Sequence, residues 1–280
     1  MIRNRFCFLY VLLVLTACEQ SQHNDGSRRG NPNPVGTPTT TTPNGQNQTT
    51  QPQQQGATQN MDVDSEHGIG WFFGRGKVTT IKQSRDEADD DRWSENVDGC
   101  EIGFEATMIA KSIGIADDGH FAMKQGGSNH SGGGADKERW LDTGVRSDGE
   151  IQLQWEGPHP KNHDFELPAG KMFLKETGKA LEGNWLGLKW AQVKLAGKDG
   201  SPANGGVRWM MWINTDVDQS NGKPDNSKWR QVYDFIDGKD VEVIQPQTFV
   251  MTGTMDVEVR RSGTKSHEVY GGGLHVRPLK

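Results

Sequence analysis

Cysteine is scarce in this chain: three in 280 residues, at positions 7, 18 and 100. Residues 61–280 hold Cys100 alone, which excludes an internal disulfide there. A lone thiol persists in an oxidising space when it is buried, and the alternation around Cys100 predicts an inward position. Long apolar runs are missing too. Phe6–Leu15 is too short to cross a hydrocarbon core of ~30 Å as a helix, and no later stretch reaches the ~18 residues a span needs. Positive charge is not in excess, with 31 basic against 37 acidic residues and a formal net charge of −6. Four of the basic and two of the acidic residues precede residue 61, so the remainder is more acidic still. That balance argues against a nucleic-acid footprint. It also argues against a polyanion as main ligand, unless positive charge is gathered in one groove. No internal repeat is visible. Residues 19–60 have Val35 as their only large aliphatic residue and no aromatic one.

What is present begins at the N-terminus. Arg3 and Arg5 precede the apolar run, and small residues follow it, which is the layout of a secretory signal. Leu15-Thr16-Ala17-Cys18 resembles the bacterial lipobox. The resemblance implies residues 1–17 as a signal peptide, cleavage before Cys18 and a diacylglycerol on its thiol. Two or three acyl chains hold a protein stably where one does not, so a membrane contact through lipid alone is expected. Glu19, rather than Asp, follows the cysteine. By the same resemblance this favours the outer membrane, with the domain periplasmic or displayed at the surface.

Residues 18–60 are then a lipidated cysteine and a Gln/Thr/Pro/Asn-rich tether. Such a composition cannot bury enough apolar surface to offset the entropy of ordering. As a coil its r.m.s. span is about 35 Å. Residues 61–280 read as a single domain of a size common for β-sandwiches.

That domain alternates. In CEIGFEATMIA, Cys100, Ile102, Phe104, Ala106 and Met108 share one face, and Glu101, Gly103, Glu105 and Thr107 share the other. IQLQWE sets Ile151, Leu153 and Trp155 against Gln152, Gln154 and Glu156. KWRQVYDFID sets Trp229, Gln231, Tyr233 and Phe235 against Arg230, Val232, Asp234 and Ile236. MDVEVRR sets Met255, Val257 and Val259 against Asp256, Glu258 and Arg260. Further strands are expected at 71–82, 119–126, 140–147, 184–195, 207–214 and 268–277. A tight hairpin is expected at Ser147–Glu150, and a short helix near 170–181. Many short strands with Asp-Gly, Asn-Gly and Gly-Gly turns read as an all-β sandwich or barrel. Trp209 and Trp212 fall on opposite faces, as do Trp185 and Trp190, so one indole of each pair leaves the main core. It then serves either as a sugar platform or as a seat for a covering loop.

Strand number and length resemble the concanavalin A-like jelly roll, two antiparallel sheets back to back. That fold covers legume lectins, laminarinase-type glycoside hydrolases and alginate-lyase-type polysaccharide lyases. The resemblance implies a glycan on a concave, polar sheet face, bound by residues such as Glu101, Glu105, Lys124, Arg146, Gln152 and His163.

Two kinds of chemistry are implied as well. Glu101-Ile102-Gly103-Phe104-Glu105 resembles the E-x-D-x-E strand of the hydrolases, with Gly103 in place of the central Asp that tunes the nucleophile. Retaining hydrolysis needs carboxyls about 5–5.5 Å apart, whereas residues i and i+4 of a strand start ~13 Å apart. Lyases instead need a base and a group that neutralises a uronate carboxylate. His130 or His159 fits the base, Lys124 and Arg146 the neutralising role, and Tyr270 the acid. The lyase strings R-S-E-L, Q-I-H and Y-F-K-x-G-x-Y are not present.

His159 and His163 have H-x-x-x-H spacing, but Pro160 between them opposes the helix a zinc site of that type needs. Asp216, Asp218 and Asp225 form an acidic loop with calcium-like oxygen density. Its Gly222 stands seventh rather than sixth, and an Asx turn is the alternative. No cofactor is required. The leading expectation is polysaccharide binding. The alternatives are a polysaccharide lyase acting by β-elimination and a surface protein that binds another protein.

Overall fold

Alternation becomes strand through most of the described residues. The computed structural model describes residues 61–83, 85–87, 90–116, 119–126, 140–156, 162–164, 181–195, 207–236 and 254–280. All of them belong to the unit Gln54–Lys280. The expected signal peptide and tether, Cys18, residues 170–180 of the expected helix, and the loops bearing His130 and His159 lie outside the described residues.

Sheet I runs β13 (Arg230–Ile236), β12 (Val207–Asn214), β11 (Leu186–Lys194), β6 (Gly103–Ile113), β16 (Leu274–Pro278) and β3 (Thr79–Ile81). The far end of β6 also pairs with β15 (Ser266–Val269). Sheet II runs β10 (Asn162–Asp164), β9 (Ile151–Glu156), β8 (Trp140–Arg146), β7 (His120–Gly126), β14 (Thr254–Ser262), β5 (Asp90–Asp98) and β4 (Arg85–Glu87). A small hairpin, β1 (Asp62–Asp64) with β2 (Ile69–Trp71), precedes both. All strand pairs are antiparallel. The chain crosses between sheets, so that late strands β14 and β16 lie inside sheets begun by early ones. This is an all-β jelly-roll sandwich.

The inward faces carry the residues that alternation assigned to them. Phe104, Ala106 and Met108 of β6 and Leu188 and Trp190 of β11 meet Val257 and Val259 of β14 and Phe121 and Met123 of β7. Cys100 is buried, as its phase predicts. The hairpin at Ser147–Glu150 forms between β8 and β9. Gly149 there adopts φ 85°, and Asp148 Oδ1 accepts from the Glu150 N–H at 2.8 Å.

Four readings shift. β6 begins at Gly103, so Ile102 precedes the strand and is exposed rather than inward. The strands expected at 71–82 and 268–277 are each two short ones, β2 and β3 in the first, and β15 and β16 on either side of a turn at Tyr270–Gly272 in the second. The register of β13 on β12 slips between Met211 and Trp212, skipping Val232. This bulge sends Val232 and Tyr233 both into the core, where strict alternation had separated them.

Candidate functional site

Each sheet has an outward face, and the two differ. On sheet I the row Lys189–Thr107–His275–Thr80 crosses β11, β6, β16 and β3. Beside it lie Glu105 and Arg277, opposite one another. A strap formed by β1, β2 and the residues that follow covers this face. Glu105 is the anchor. Its carboxylate accepts from the backbone N–H groups of Phe72 (2.9 Å), Phe73 (2.8 Å) and Gly74 (3.2 Å). It also pairs with Lys189 Nζ at 3.0 Å, both side chains being fully buried. Lys189 donates to the Gly70 carbonyl as well. Its ammonium lies 4.6 Å from the Trp71 ring centroid and 5.1 Å from that of Trp229. Burial holds the Lys189 pKa below the usual lysine range, against the opposing pull of Glu105. Charge is kept here because carboxylate, backbone donors and π faces replace water.

The indoles that leave the main core rest under this cover. Trp185 clusters with Ile69, Trp71, Ile109 and Val217. Trp212 clusters with Trp229, Met210 and Phe72. Of the two roles open to them, they take the seat for covering chain.

This arrangement corrects two site readings. Glu105 holds the strap and has no surface for a glycan. Glu101 is exposed in the bend before β6, so the two glutamates do not form a strand-borne acid–nucleophile pair. Tyr270, in the turn before β16, packs on the cluster beneath the strap. It therefore lies across the sandwich from Lys124 and Arg146, and the lyase acid read at Tyr270 does not meet them.

The outward face of sheet II brings together three predicted residues: Lys124, Arg146 and Gln152. The pairing of β5, β14, β7, β8 and β9 aligns Ser94, Glu258, Lys124, Asp142 and Gln154 in one row. The next row is Arg92, Arg260, Ala122, Gly144 and Gln152. Beyond it, Ser262, His120 and Arg146 stand opposite one another. Glu258, Lys124 and Asp142 are sunk, at 5%, 3% and 5% exposure. Arg92, His120, Arg146, Gln152, Gln154 and Arg260 are partly exposed around them. Arg146 Nε donates to Gln152 Oε1 at 3.2 Å. The centre of the second row, Ala122 and Gly144, is small and buried, so the longer side chains stand above it as rims.

His163 on β10 pairs with Trp155 rather than with Gln152 or Gln154, which puts its backbone out of phase with the polar row. Sequence reading passed over Asp142, Gln154, Arg92, Arg260 and Glu258. The β8–β9 hairpin alone would have aligned Asp142 with Gln154, because turn length sets register.

The acidic loop uses its carboxylates internally. Asp218 accepts from Ser220 N (2.8 Å), Ser220 Oγ (2.6 Å) and Asn221 Nδ2 (2.8 Å). Asp225 accepts from Ser227 N (2.9 Å) and Ser227 Oγ (2.7 Å). The hydroxyls of Ser220 and Ser227 head the causes that lower their respective pKa values. Asp216 is exposed beside them. Among the described residues no group of three or more His, Cys, Asp or Glu could hold a metal ion, so the loop is a pair of Asx turns and the calcium reading is not supported.

No protein-family model matches the chain, and no curated protein matches it. Among solved structures it overlaps tailspike protein 2 from an Escherichia coli O157:H7 bacteriophage, at TM-score 0.37 and 12% identity, over 78% of this chain and 24% of the tailspike. The chain thus spans about a quarter of that protein's length. It overlaps Caenorhabditis elegans galectin LEC-6 at TM-score 0.34 and 10% identity, over 71% of this chain and 94% of the galectin. A mutant of alginate lyase Aly36B in complex with alginate trisaccharide overlaps at TM-score 0.34 and 11% identity, over 72% of this chain and 81% of the lyase. The class is the antiparallel jelly-roll sandwich, and strand order and register carry that assignment.

Proposed function

We propose that this protein binds a polysaccharide along the outward face of sheet II. The observation that supports it is the rim of Arg92, Arg146, Gln152, Gln154 and Arg260 around a sunken Glu258–Lys124–Asp142 row. Glutamine amides offer both donors and acceptors to sugar hydroxyls, and guanidinium forks offer paired donors. Such a rim extends across adjacent strands, which suits a chain-like ligand more than a compact one. The protein would act at the cell envelope, held by lipid on Cys18 and lifted from the bilayer by the 18–60 tether.

A glycan array probed with the full chain tests the reading. Binding should fall about tenfold in Gln152→Ala and in Arg260→Ala, as expected for each lost ligand hydrogen bond. An array without signal would end the proposal. Loss of fatty-acid labelling in Cys18→Ser tests the anchor separately.

A second reading, β-elimination on a uronate polymer, has one supporting observation. His120 stands opposite Arg146 on the same face, putting an imidazole beside a carboxylate-neutralising guanidinium. Absorbance of the unsaturated product decides it, and activity that survives His120→Ala would exclude that residue as the base.

A further inference from the structure

The tip of the strap is fixed by something other than Glu105. Asp64 ends β1, and its Oδ1 accepts from the N–H groups of Glu66 (2.9 Å) and His67 (3.3 Å). Its Oδ2 lies 2.9 Å from His67 Nδ1. The other nitrogen of that ring, Nε2, is 3.3 Å from Thr80 Oγ1. Thr80 Oγ1 is in turn 3.1 Å from His275 Nδ1. One hydroxyl on edge strand β3 therefore bridges an imidazole of the strap to an imidazole of sheet I, with ring centroids 4.5 Å apart.

A hydroxyl has a single proton to give. In the neutral rings His67 Nδ1 carries its proton toward the Asp64 carboxylate, so Nε2 accepts from Thr80 Oγ1 and the Thr80 oxygen accepts from His275 Nδ1–H. A second proton on His275 therefore goes to Nε2, and the charged ring is repelled by His67 and Lys189. His275 is fully buried, so that repulsion is weakly screened. Of the other groups on this face, the Tyr270 carbonyl and Asp64 relieve it only in part. Lys189 from β11 adds positive charge, as does Arg277 two residues along β16. Asp64 is engaged by His67, and Glu105 by Lys189 and the strap amides. Tyr270, in the turn before β16, offers its backbone carbonyl.

We propose that the β1–β2 hairpin is an acid-released latch, in which protonation of His275 places a charged ring beneath the strap and frees the hairpin tip from sheet I. Burial first, then His67, hold the His275 ring down at about 4, against an ordinary value of 6.5. The sign follows. The freed ring takes up a proton below 6.5 and the latched ring does so only near 4. The latched form therefore loses stability as pH falls through that window, and this group adds nothing further below it.

Hydrogen exchange on the full chain, corrected for the intrinsic pH dependence of exchange, reads the latch directly. Peptides covering 62–71 should lose protection by at least about tenfold between pH 7 and pH 5, while peptides covering 186–194 hold theirs. His275→Asn should flatten the response. If that variant does not fold, as judged by circular dichroism, His67→Gln on the strap side carries the test and should shrink the response. Unchanged protection of 62–71 at pH 5 would overturn the proposal. So would loss in step with 186–194, or a full response in either folded variant.

Discussion

Glu105 shows how far one residue's role depends on chain distant from it. By phase it belongs on a polar strand face, and there it stands. What phase cannot reveal is that residues 72–74, some thirty positions earlier, lay their N–H groups on its carboxylate. Removing it leaves Lys189 buried without its counter-ion and three backbone donors without an acceptor. Glu105→Ala should therefore cost about 3–5 kcal/mol in urea denaturation, the range for breaking one partner of a buried ion pair. Glu101→Ala, at an exposed bend, should stay within about 0.5 kcal/mol. Replacing the pair together, Glu105→Leu with Lys189→Met, should recover only part of the loss, because the strap amides still lack an acceptor. Full recovery would mean that Lys189, not the strap, is what Glu105 serves.

Among elements, β7 and β8 approach closely where the second polar row crosses them. A Cβ built on Gly144 would lie 2.0 Å from the Phe121 carbonyl oxygen and 2.5 Å from Ala122 Cα. Both are backbone atoms, which cannot swing aside as a side-chain tip can. Gly144→Ala should force the strands apart and cost about 2–3 kcal/mol. It should also weaken glycan binding, since it displaces the floor between Arg260 and Gln152. A destabilised variant with unchanged affinity would place the ligand away from this row. The same two strands show what was legible in sequence. β7, β8 and β9 were readable because each alternates, and the Ser147–Glu150 turn joins the last two by local geometry. The insertion of β14 between β7 and β5 was not, since pairing strands more than a hundred residues apart leaves no local mark. Nor was the bulge opposite Met211, because a strict period of two has no place for an extra residue. The candidate site was half legible for that reason: Lys124, Arg146 and Gln152 lie on consecutive hairpins, whereas Arg260 and Glu258 arrive from the distant β14.

For the molecule as a unit, the two outward faces divide the work. Sheet I is closed by the strap, and its lysine, carboxylate and indoles are spent on holding that cover. Sheet II keeps its rim accessible. Among the described residues the core between them is mainly apolar, and the hydrogen-bond partners of Glu105 and of Gln152 are separate sets. Substitutions on opposite faces, without shared partners, are expected to act independently. Glu105→Gln should lower the melting temperature and leave glycan affinity within about twofold. Gln152→Ala should do the reverse. The double variant should show both effects at their single-variant size, to within about 0.5 kcal/mol. A calorimetric melt paired with a binding titration on the four proteins completes the cycle. Coupling well above that margin would mean that strap and glycan face communicate, and acid release of the latch would then reach the binding face. Additivity would confine the proposed latch to sheet I and make the proposed polysaccharide site independent of its release.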